Sequence, residues 1–145
     1  MSLHGDYEPD NIFAQILRGD MPSVKVWEDD NVLVFMDVFP QSPGHCLVIS
    51  KASKARNLLE VEPKALGRMI GAVQRTAKAV DKALQPDGIA VMQFNGAAGG
   101  QTVFHLHFHV IPRWDGREMK GHGHAPMADT DELRSLADQI AAALD

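Results

Sequence analysis

The stretch His105-Leu106-His107-Phe108-His109-Val110-Ile111 alternates histidine with apolar residues without a break. That period of two is the signature of a half-buried β-strand. It predicts a core-facing set of Leu106, Phe108 and Val110, and an opposite face carrying His105, His107 and His109. Three imidazoles on one face are a poor core material. Each ring has two nitrogens that need partners when buried, and its charge can change near neutral pH. The face is expected to do chemistry, hold a metal, or form a satisfied polar network.

Strand geometry bears on the metal. Alternate strand residues lie about 6.6 Å apart, so His105 and His109 are roughly 13 Å apart at Cα. A histidine reaches a zinc about 6 to 6.5 Å from its own Cα. Three strand histidines therefore meet one tetrahedral ion only if the outer two stretch toward each other. At most two neighbours would share an ion. Otherwise the three divide the work between nucleophile, proton handling and support.

Outward from the triad, the turn before it reads Asn95-Gly96-Ala97-Ala98-Gly99-Gly100-Gln101-Thr102. Glycines there allow backbone N–H groups to converge on an anion. A phosphate so held would lie beside an imidazole nitrogen, within reach of the Thr102 hydroxyl and the Gln101 amide. That suits phosphoryl chemistry by a histidine nucleophile.

Farther out, Asn11 to Arg18 reads as a short helix, with Asp10 as N-cap and Gly19 as stop. Residues 24–28 and 32–36 form a hairpin about Asp29-Asp30-Asn31, and 46–49 a third strand. Residues 62–84 carry apolar side chains at helical spacing, with Pro63 in the first turn. Residues 89–94 form the next strand, and Pro112 is expected to end the histidine strand. Residues 114–128 read as a polar surface loop and 130–144 as an amphipathic helix. The sum is an α+β fold: an antiparallel sheet of about five strands with a short N-terminal helix, one long helix and a C-terminal helix.

At 145 residues, 45% hydrophobic and 23% charged, the chain reads as one ordinary globular domain spanning 1–145. Its core is expected over about 11–112, with 113–145 as loop and helix. A net charge of −5 without a basic stripe argues against a nucleic-acid partner. A single phosphate remains within reach of backbone amides. Cys46 is the only cysteine, which excludes an internal disulfide and a thiolate zinc cluster. No apolar run reaches transmembrane length, and the start is not a signal peptide, so the expectation is a cytoplasmic protein without a membrane partner.

These residues together resemble the histidine triad (HIT) hydrolases and transferases, in particular the bacterial Hint/HIT-like nucleotide hydrolases. The carriers are the triad itself, the Gly99-Gly100-Gln101-Thr102 turn, Asp37, Pro40-Gln41, Gly44-His45 and the opening helix. The resemblance implies that His107 attacks the α-phosphorus of a nucleoside phosphoramidate, aminoacyl adenylate or dinucleoside polyphosphate, and that water then hydrolyses the nucleotidyl-histidine. It implies phosphate contact by His109, a proton passed by Thr102 or His109, and support by His105. Gly100, Gln101 and Asn95 would hold the phosphate and leaving group. Asp37 would bind the ribose hydroxyls, and Ile12, Phe13, Ile16, Phe35 and Val38 would enclose the base, a purine by analogy. A homodimer with sheets joined across a two-fold axis is implied as well. The alternative is a nucleotide-binding regulatory module with little turnover.

The chain departs from the family pattern at several places. Many bacterial members bind zinc through two first-helix cysteines, a histidine after the third strand and the first triad histidine. Here the first three places hold Asn11, Ala14 and Ser53, so no zinc and no other cofactor is expected. Phe94 stands where relatives often carry asparagine. His45 reads as structural, His4 as terminal, and His122 and His124 as exposed loop residues.

Overall fold

In a computed structural model, which describes residues 2–121 and 125–145, the sequence folds as an α+β protein. The element order is α1 (Ile12–Arg18), β1 (Lys25–Glu28), β2 (Val32–Met36), β3 (Cys46–Ser50), α2 (Pro63–Leu84), β4 (Gly88–Met92), β5 (Phe108–Arg113) and α3 (Thr130–Ala142), with a short 3-10 turn at Ala97–Gly99. The strands form one sheet in the order β1-β2-β3-β5-β4, and every neighbouring pair is antiparallel. His122 and His124 lie outside the described residues.

The sheet is covered on both faces. Val32, Val34, Met36, Cys46, Val48, Phe108 and Val110 point to one side, where α2 and α3 pack. Leu33, Phe35, Leu47 and Ile49 point to the other, where Phe13 of α1 joins them. Two-sided burial explains why β2 and β3 read as continuous apolar runs rather than alternating ones. Leu47 pairs with His109 and Val48 with Phe108, so the period-two reading puts each on its proper face.

Strand and helix ends shift by one or two residues, β4 stopping at Met92 rather than at 94, and three differences bear on the site. Regular strand structure begins only at Phe108, so His105 and His107 sit on the irregular approach to β5. Pro112 does not end the strand: beyond Val110, β5 pairs with β4 alone, and a proline is accommodated where one side of a strand has no ladder. Asn11, not Asp10, caps α1, its Oδ1 accepting the Ala14 N–H at 2.9 Å. Asp10 instead offers its carbonyl to Gln15 and its carboxylate to Arg18.

Candidate active site

The apolar face of α1 leaves a cleft of about 570 Å³ against the second sheet face, a volume in the range of small-molecule sites. Its wall includes Ile12, Phe13, Ile16, Phe35, Asp37, Val38, Thr102, His107 and His109. Nine of the residues singled out in the sequence thus converge on one space. Sequence reading did not anticipate Gln41, Phe39 and Met127, which line it too. Met127 arrives because the end of the 114–128 loop is tied back, the Ala128 N–H donating to the Val38 carbonyl at 2.9 Å.

The three triad histidines are all buried, at 2%, 6% and 1% exposure for His105, His107 and His109. Their hydrogen bonds assign a separate state to each. His107 donates from Nδ1 to the carbonyl of His105 at 2.7 Å, because a carbonyl can only accept. A neutral His107 therefore keeps its lone pair on Nε2. The edge of Phe13 lies against the same ring at 4.8 Å between centroids, fixing its plane. His105 receives the Tyr7 hydroxyl on Nδ1 at 2.8 Å and also bonds the backbone of Ser50. Burial, with the neighbouring His107 adding to it, lowers its pKa to about 4, so it is neutral at physiological pH.

His109 is set from behind by a residue taken as structural. The Gln41 backbone N–H donates to Nδ1 of His45 at 3.1 Å, which places a neutral His45's proton on Nε2. That nitrogen lies 2.8 Å from Nδ1 of His109 and 3.4 Å from an Asp37 carboxylate oxygen. His109 consequently carries its own proton on Nε2. The signal for His45 was present in its position one residue before β3, across the sheet from the triad, but nothing local distinguishes it from a structural histidine.

Asp37 accepts the Phe39 N–H on Oδ1 at 2.8 Å. Burial raises its pKa to about 6, partly countered by that backbone bond. Asp37, His45 and His109 bring their ligand atoms within 4.8 Å of one another, a spacing that invites a metal. The tautomers oppose it. An ion needs the lone pair of His45 Nε2, and taking it would force a proton onto Nδ1 against the Gln41 N–H. The family zinc site fits no better: Asn11 is spent as a helix cap, Ala14 is buried, Ser53 accepts the Ala55 N–H, and His105 Nδ1 is engaged by Tyr7.

The residues expected to hold the phosphate are placed differently. Gln101 is buried, its Oε1 accepting the Gly96 N–H and its Nε2 donating to the Arg56 and Val103 carbonyls. Its amide shapes the loop rather than reaching into the cleft. Asn95 likewise accepts the Leu58 N–H and bonds Gln93, and it is not on the cleft wall. Gly100 has φ +104°, and a Cβ there would meet Phe94 at 3.1 Å. Phe94 in turn stands edge-on to His109 at 5.6 Å. An apolar ring thus backs the loop.

The HIT domain model matches residues 18–116. The chain belongs to the HIT family. Among relatives of this HIT protein, the protein hit of Bacillus subtilis is 36% identical over 133 residues, covering 90% of this chain and 91% of its own. The adenosine 5'-monophosphoramidase hnt1 of Schizosaccharomyces pombe is 34% identical over 130 residues, covering 89% and 94%. The crystal structure of a Hit-like protein from Bartonella henselae, described as involved in cell-cycle regulation and holding an unknown ligand, superposes with a TM-score of 0.91 at 51% identity, covering 97% and 100%. The HIT fold and family are therefore those expected from the triad and its turn.

Proposed function

We propose that this HIT protein is a nucleotide hydrolase that works through a nucleotidyl-histidine on His107, with nucleoside phosphoramidates as its substrate class. The observation that carries this reading is the hydrogen bond from His107 Nδ1 to the His105 carbonyl, which keeps the Nε2 lone pair on a ring that lines the cleft. Attack forms the N–P bond to His107 and breaks the P–N bond to the amine. The departing nitrogen takes a proton from Thr102 or from His109, whose Nε2 proton is placed by the His45 relay. Water then cleaves the nucleotidyl-histidine, releasing the nucleoside monophosphate.

Asp37 binds the ribose hydroxyls, and Ile12, Phe13, Ile16, Phe35 and Val38 enclose a purine. The loop of Asn95, Gly100 and Gln101 shapes the phosphate end of the cleft rather than binding there, since the Gly100 and Gln101 N–H groups close the turn on the Ala97 and Gly96 carbonyls. Thr102 is the loop residue that meets the phosphate. A phosphoramidate is favoured over a dinucleoside polyphosphate because the cleft wall offers a carboxylate but no lysine or arginine to neutralise further phosphates. The phosphoramidase activity named for the fission-yeast relative points the same way. We place the protein in the cytoplasm as a homodimer, in line with the open edge of β4 and the exposed Val91 and Ile70. No helix among the described residues is long and apolar enough to cross a membrane.

The test is to mix the protein with adenosine phosphoramidates, quench in base, and weigh it. The wild type should gain one adenylyl mass, and His107→Ala should gain none and lose turnover by at least about 10³-fold. A wild type that binds AMP but forms no adduct would be a binding module instead.

A further inference from the structure

Residues ahead of α1 are an unassigned part of the site. They cross the phosphate loop as a strap held at several points. The Ser2 carbonyl accepts from Arg56 Nη2 at 3.3 Å, and the Leu3 carbonyl accepts from Asn57 Nδ2 at 2.8 Å. The Leu3 side chain lies over Gly96, where an added Cβ would come within 3.3 Å of it. At the end of the strap stands Tyr7, half-buried, 98 residues from the histidine it touches.

We propose that Tyr7 is a positioning residue for the nucleophile, acting through His105. The hydroxyl donates to Nδ1 of His105 while the ring's other side is tied to the Ser50 backbone. Held on both sides, the ring has one tautomer and one seat. The carbonyl of that same residue is the group that holds Nδ1 of His107. Phe13 couples the two rings further, standing edge-on to His105 at 6.2 Å and to His107 at 4.8 Å. A shift of His105 therefore moves the acceptor that fixes the direction of the His107 lone pair, and small displacements of a reacting atom are costly to rate. Removing the hydroxyl also leaves a buried acceptor without its donor, which favours the alternative ring state.

This proposal rests on His107 being the nucleophile, and the experiment separates the two. Tyr7→Phe removes one oxygen and keeps the ring that packs on His105 at 5.7 Å. Adenylyl-enzyme formation should slow about 10-fold with KM unchanged within about twofold. In ¹⁵N spectra of histidine-labelled protein the Nδ1 resonance of His105 should move downfield as its hydrogen bond is lost. Val80→Ala, a truncation in the α2 core on the other face of the sheet, should lower the melting temperature while leaving that resonance and kcat in place. The proposal is overturned if Tyr7→Phe reacts at the wild-type rate, if its His105 resonance does not move, or if Val80→Ala reproduces the loss of kcat. A wild type that forms no adduct overturns the hydrolase reading instead, and the Tyr7 role with it.

Discussion

Three identical side chains in one short run are given different chemistry by the groups behind them. His107 is defined by a carbonyl, His105 by a phenol and a strand backbone, and His109 by a fourth histidine. The last of these makes a prediction. His45 is fully buried, so His45→Ala removes packing and strands the Gln41 N–H, costing about 2–4 kcal/mol by thermal or urea unfolding. It also frees His109 to take the wrong tautomer, and kcat should fall about 10² while AMP still binds, as measured by burst kinetics and calorimetry. The pair His107 and His109 was legible because both lie on the same sequence stripe. His45 and Tyr7 were not, since a lone histidine or tyrosine carries no period and its partner is far away in the chain.

At the scale of elements, the site is built where a short helix, a hairpin strand and a glycine turn meet over β5. The helix α1 was legible to within its cap, since Asn11 and Asp10 are both good caps and only the observed dihedrals and bonds decide between them. The turn was legible as glycine-rich but not in its wiring. Gln101 looked like a phosphate ligand because an amide beside glycines suits an anion, yet it spends both ends of its amide on the loop itself. Gly100 is needed in the left-handed region, at φ +104°. Gly100→Ala should cost about 1–2 kcal/mol and press on Phe94, and through that ring on His109. Differential scanning calorimetry should show the lower melting temperature, and adduct formation should slow more than AMP binding weakens.

The whole molecule carries two opposed buried titrations. Asp37, with its pKa raised to about 6 from 3.8, favours the fold when protonated, so its contribution is present below pH 4 and is lost as pH rises through 6. His105, lowered to about 4 from 6.5, favours the fold when neutral, so its contribution is present above 6.5 and is lost as pH falls through 4. Each is worth at most about 3 kcal/mol, and between pH 4 and 6 they offset one another. Asp37→Asn removes one side of the balance while its amide oxygen can still accept the Phe39 N–H. That variant should be more stable than wild type at pH 8, and its stability should fall more steeply from pH 6.5 to 4, read by urea unfolding across that range. If Asp37 binds the ribose as proposed, the variant's affinity for AMP at pH 8 should drop, since a neutral amide replaces the carboxylate.

The sequence alone determined what is local and periodic. The triad stripe, the helices and hairpin and the glycine turn are all patterns within one element or between neighbours, where side-chain direction follows from backbone period. Tertiary structure alone decided the long-range pairs. Tyr7 meets His105 across 98 residues, and His45 meets His109 across 64. Met127 reaches the cleft because one backbone bond ties Ala128 to Val38. A hydrogen bond between distant side chains leaves no period in the sequence, because each partner is a single residue whose neighbours serve other purposes. It is these pairs that set which imidazole nitrogen holds a proton.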